Sequence, residues 1–223
     1  MSETMVSLIS SYADNKGALG RRYGEWAVSG PTVEAAVAAA AMAQDELGHA
    51  RATYPVLAKL GHPREEDGLD TSHALPMLRE ELPDWASMIA ANLVIDGILT
   101  TFVAACRDSS FEPLATRARK ILQEERSHRI HGEAWCRRLL RGPHRDELLA
   151  RMRDTWEQAA RWPGPDDDPG YRAAIQEGLI SEGPAAQRDR VRVWALGLAT
   201  GEGVELELPE PEDWSGWDPA RRR

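Results

Sequence analysis

The chain has 223 residues, a net charge of −9 at pH 7 and 42% hydrophobic residues, enough for one substantial core. Its basic residues are scattered among acidic ones, which excludes the electrostatic footprint of a nucleic-acid binder. The first 30 residues hold acidic side chains and lack the compact apolar stretch of a secretion signal, and Cys106 and Cys136 stand outside any CxxC pattern. A cytoplasmic, reducing setting is therefore expected, with both cysteines as small core residues.

In chain order, helix A is expected from about Thr4 to Ala27, with Leu8, Tyr12, Leu19, Tyr23 and Trp26 at helical spacing and Gly30-Pro31 as the stop. Pro31-Thr32 opens helix B. Its stripe of Ala35, Ala39, Met42, Glu46, His49, Thr53, Val56 and Leu60 steps by four and three, and it ends near Gly61. Between Gly61 and Leu82 lie several helix breakers, which suggests a long crossover rather than a hairpin turn. Helix C, which Pro83 can open, is almost wholly apolar from Ser87 to Cys106, with Asp96 its only ionisable residue. A membrane span is disfavoured by Asn92, Asp96, Thr100 and Thr101 and by the amphipathic neighbours.

Helix D follows Pro113 with the stripe Leu114, Ala118, Ile121, Glu125, His128, Gly132, Trp135 and Leu139, a mirror of helix B. A polar amphipathic helix from His144 to Trp162, the turn-rich PGPDDDPG and a helix near Ala185 to Leu198 complete the body. The expectation is an all-α, ferritin-like four-helix bundle with a long B–C crossover and additional C-terminal helices. One domain would cover residues 1–200, and residues 201–223, rich in proline and acid, would form an extended or poorly ordered arm.

The chemistry lies in two ExxH pairs, Glu46 with His49 and Glu125 with His128, each set in the middle of an inward stripe. One such pair means little. Two of them where apolar residues belong demand compensation, because an unpaired buried charge costs several kcal/mol. Asp96 poses the same problem in helix C. With Glu25 of helix A the set becomes one lone carboxylate from each of two helices and one ExxH from each of the other two, the ferritin-like dimetal pattern. Glu25 sits beside its stripe rather than on it, so a solvated helix residue is its competing reading. For the ExxH residues the competing reading is an ion-paired polar core. Asp45 and Glu124 are candidate acceptors for imidazole N–H groups, and His131 lies one turn beyond His128. Carboxylates with imidazoles favour iron or manganese over zinc or calcium.

At these residues the chain resembles the phenylacetate-catabolism oxygenase family, whose paired homologous subunits form the core of a multicomponent phenylacetyl-CoA epoxidase. The likeness spans about Leu19 to Arg141 and rests on GEWAVSGPT, QDELGHAR, LVIDG, the stretch from Cys106-Arg107 to Pro113, and EERSH. In that family one subunit holds the dimetal site and its homologous partner has lost ligands and is structural. Glu25, Glu46, His49, Asp96, Glu125 and His128 match the ligand-bearing pattern as both metal ligands and catalytic groups, whereas the short junction from Glu25 to Pro31 looks like the structural partner. The chain is also shorter than the catalytic subunits after helix D, so no residues for coenzyme A carry over.

The resemblance implies a di-iron monooxygenase component with two Fe ions, O2 as co-substrate, and electrons from a separate flavin and iron–sulfur reductase. It also implies a small-molecule substrate of the aryl-acyl-CoA class and a homodimer or a homologous partner subunit; charge and composition, as above, leave neither nucleic acid nor membrane as an expected partner. Two alternatives stay open: a non-catalytic structural subunit, and a ferritin-like iron oxidase or peroxidase.

Overall fold

A computed structural model describes residues 3–64 and 73–223, and their regular secondary structure is all helical, with no strand among them. The four long elements are α1 (Glu3–Trp26), α2 (Val33–Lys59), a rod made of α3 (Trp85–Ala90), a π-helical turn (Ala91–Asp96) and α4 (Gly97–Ala105), and α5 (Glu112–Leu140). They form the all-α bundle expected from the stripes. Residues 65–72, the middle of the expected crossover, lie outside the described residues; on its far side Pro76–Leu78 form a short 3-10 turn.

Local chemistry explains the boundaries. Thr32 caps α2 by accepting from the Ala35 N–H at 3.2 Å, and Asp84 caps α3 by accepting from the Ser87 N–H at 2.6 Å. Pro83 thus lies just before the cap rather than inside the helix. Pro113 occupies the first turn of α5, where its missing N–H costs nothing.

The two antiparallel neighbours α1 and α2 approach closely because Gly20 faces Ala43 and Leu47. A Cβ on Gly20 would fall 2.8 Å from Leu47 Cγ and 3.0 Å from the Ala43 carbonyl. The rod Trp85–Ala105 is long and apolar enough to cross a membrane, yet 78% of its most apolar window is buried inside the bundle. It is the central helix of the core, as its contacts with α5, α6 and α8 show.

Outside the bundle lie α6 (Arg145–Ala159), α7 (Pro169–Gln176) and α8 (Pro184–Gly201). Helix α7, only 8 residues long, is too short to show a clear apolar period and is absent from the elements expected above. Its start signal is present nonetheless: Asp168 accepts from the Gly170 and Tyr171 N–H groups, and Pro169 follows it. Residues 204–223 form an arm without helix that is tied down along its length. Trp156 donates to the Pro209 carbonyl at 2.7 Å, Trp217 to the Arg161 carbonyl at 3.0 Å, and the fully buried Arg222 to the Trp162 carbonyl at 2.9 Å.

Candidate functional site

At mid-height the bundle interior turns polar. Glu46 and His49 enter from α2, Asp96 from the rod, and Glu125 and His128 from α5, all buried. Both ExxH pairs therefore face one centre, as stripes repeating every 3.6 residues require. The π-helical turn widens the rod at Asn92 and Asp96 and lets both side chains reach this centre. Asn92 Nδ2 donates to Asp96 Oδ2 at 3.4 Å. Gly132 of α5 makes room for that amide, since a Cβ there would lie 2.1 Å from Asn92 Oδ1.

The fourth helix contributes a cation. Lys16, with no exposed surface, points from α1 into the cluster. Its Nζ lies 2.8 Å from Glu46 Oε2 and 2.5 Å from Glu125 Oε1, and it also pairs with Asp96. Glu25, expected to supply the carboxylate of α1, is elsewhere. Its side chain is 38% exposed and pairs with Arg22 at 2.8 Å. The reason is helical phase: nine residues separate Lys16 from Glu25, about two and a half turns, which puts them on opposite faces.

The sequence held two signals for Lys16. The α1 stripe runs Leu8, Tyr12, Leu19, Tyr23, and the step missing between Tyr12 and Leu19 is the turn occupied by Lys16. Hairpin symmetry gives the second. Asp96 precedes Glu125 by 29 residues, and Lys16 precedes Glu46 by 30, whereas Glu25 precedes it by only 21.

The histidines complete the network. His49 Nδ1 lies 3.1 Å from Glu125 Oε1, and its Nε2 lies 2.9 Å from Glu124. His128 Nδ1 lies 3.2 Å from Glu46 and 3.3 Å from Asp96, and its Nε2 is 3.3 Å from Asp45. The outer carboxylates thus serve the histidine of the opposite helix, cross-linking α2 and α5, rather than the one on their own. His131 stays out of the cluster, packed edge-on against Trp85.

These contacts set the charge. Burial works against protonating His49, but the carboxylates of Glu125 and Glu46 outweigh it and raise its pKa to about 9. Burial is likewise outweighed at His128, where Asp96 and Glu46 raise the pKa to about 11. At Asp96, burial together with Glu125 and Glu46 pushes the pKa up to about 6 against the pull of Lys16. Burial opposes ionisation of Glu46, yet Lys16 and His128 hold it well below the usual carboxylate range. Lys16 is desolvated too, and the three carboxylates still keep it charged well above its ordinary pKa. Near neutral pH three anions, Glu46, Asp96 and Glu125, thus face three cations, Lys16, His49 and His128. These six inner groups balance one another in charge, with Asp45 and Glu124 outside them against the imidazole Nε2 atoms.

Glu46, Asp96, Glu125 and His128 bring ligand atoms within 4.8 Å of one another, so this buried Glu/Asp/His group could hold a metal ion. A pair of ions does not fit the residues present. The carboxylate that α1 would supply is absent, an ammonium lies among the carboxylates that would hold the ions, and two divalent cations beside Lys16 would exceed the charge of the three inner carboxylates by about two.

A family model described as "Phenylacetic acid catabolic protein" matches residues 1–217. The match reaches beyond Arg141, where the recognisable motifs end, through α6 to α8 and most of the arm. No curated protein matches the chain.

Proposed function

The chain belongs to the phenylacetic acid catabolic protein family, and from that premise we propose that it is a non-catalytic, metal-independent subunit of a phenylacetate-catabolism oxygenase assembly in the cytoplasm. The observation that carries this reading is the Lys16 ammonium, held by one carboxylate from each of α2, the rod and α5. A buried charged cluster needs full compensation, and Lys16 with two imidazolium groups supplies it without an ion. The bundle keeps its ligand-like architecture because removing any single member would unbalance the rest. Its place in such an assembly is beside a homologous partner subunit that carries the reaction.

An anaerobic Fe(II) titration tests this on wild type and Lys16→Glu side by side. Wild type is expected to bind no iron tightly. Lys16→Glu restores a fourth carboxylate on the correct helix face and is expected to bind up to two ions per chain, in line with the carboxylate-rich dimetal pattern. Tight binding of two ions by wild type sinks the proposal.

A second reading, a di-iron monooxygenase component fed by a separate flavin and iron–sulfur reductase, is favoured by the convergence of both ExxH pairs on one centre. It requires Lys16 to withdraw from the cluster. Oxygen uptake that depends on an aryl-acyl-CoA substrate and a supplied reductase would establish it. Fe(II) oxidation without any organic substrate would point instead to an iron oxidase.

A further inference from the structure

Between α4, α5 and α8 the bundle is not closed. A cavity of about 390 Å3 opens there, within the size range of small-molecule sites. It exists because α4 presents a stripe of small residues to α8, Gly97, Thr101 and Ala104 at spacings of four and three. Bulkier side chains on that stripe would fill it. Its walls are apolar, built from Leu122 of α5 and Val191 and Trp194 of α8, and its floor reaches Asp96 and Glu125.

The mouth carries the opposite charge. Arg126, Arg129 and Arg190 all line it, in a chain whose net charge is −9. Arg129 is engaged, with Glu133 at 3.0 Å and its guanidinium 4.9 Å above the Trp194 ring. Arg190 pairs with Glu182 at 3.2 Å. Arg126 has no partner among the described residues. The floor carboxylates are already satisfied by Lys16, His128 and Thr100 and make no demand for a cationic ligand.

We propose that this cavity binds a small organic acid, with its carboxylate on Arg126 and its apolar body against Leu122, Val191 and Trp194. An unpartnered guanidinium at the lip of an apolar slot is suited to a planar carboxylate, which it grips through two parallel N–H donors. Trp194, held in place by its bond to Glu133 at 2.8 Å and by Arg129 above it, presents a rigid ring to that body. The site does not depend on the subunit reading above, since it uses no metal and asks of the inner cluster only that Asp96 and Glu125 keep the partners they have.

Calorimetric or NMR titration of the intact chain tests it, with phenylacetate and hexanoate as probes and phenylacetamide as the neutral control. Saturable binding of the acids is expected, weakened at least about tenfold in the amide and in Arg126→Ala. Arg126→Lys should recover part of the loss, and Ala104→Leu should block the acids by filling the slot while the helical spectrum and melting temperature hold. Equal binding of acid and amide, undiminished binding in Arg126→Ala, or no saturable binding of either acid at millimolar concentration would each overturn the proposal.

Discussion

Lys16 is the residue on which the chemistry turns. Fully buried, it touches three carboxylates, so its removal leaves three desolvated anions against two imidazolium groups. Lys16→Met, close in shape and uncharged, should lower unfolding stability by about 3–5 kcal/mol, the usual cost of breaking a buried ion pair from one side. Denaturant unfolding reads this directly, and an unchanged midpoint would show that the cluster sheds its charge in some other way.

The imidazoles give a pH signature. His49 and His128 have folded pKa values raised above the ordinary value, to about 9 and about 11. Their contribution is therefore complete below the unfolded pKa and is lost as pH rises through the folded values. Stability should fall between pH 7 and about 9.5 as His49 deprotonates, and His49→Gln should flatten that slope. A wild-type profile flat across this window contradicts the assignment of charge.

At the scale of elements, close approach rather than propensity fixes the geometry. Gly132 admits the Asn92 amide beneath α5, and Gly20 lets α1 lie against α2. Gly132→Ala should cost about 1–3 kcal/mol by overpacking, even though alanine is intrinsically the better helix former. A stabilised variant would mean that the rod and α5 are not packed as described.

The elements were largely legible in the sequence, because α2 and α5 bury one continuous stripe each and that stripe is visible as a period. Four of the cluster's residues were read directly from those two stripes, and Asp96 from its isolation in an apolar rod. Helix α1 was harder. Its residues from Leu8 to Gly20 are buried on every side, Ser10, Ser11, Asp14 and Asn15 included, so no contrast between a polar and an apolar face marks the inward direction around Lys16. The polar residues there serve the fold: Asn15 accepts from the Leu75 N–H at 2.9 Å and Asp14 from the His73 N–H at 3.0 Å, anchoring the end of the crossover. The gap at Lys16 in the α1 stripe and its 30-residue offset from Glu46 mark the inward position, but its three partners are visible only in the tertiary arrangement.

For the whole molecule, the arm closes the structure by returning residues 204–223 over α1, α6 and α8. Arg188 joins Glu210 at 2.6 Å, Ser7 donates to the Pro219 carbonyl, and Arg222 is buried under the turn after α6. Removing residues 204–223 should therefore lower the melting temperature by several degrees, since each of these bonds contributes about 0.5–1.5 kcal/mol. An unchanged melting curve would show the arm to be dispensable.

The central claim concerns what occupies the middle of the bundle. Crystals of the wild-type chain grown or soaked with Fe(II) under anaerobic conditions, with diffraction recorded at the iron absorption edge, address it directly. The account predicts no anomalous peak between Glu46, Asp96 and Glu125 and clear density for the Lys16 side chain reaching all three. Two anomalous peaks at that position, with Lys16 turned away, would contradict it.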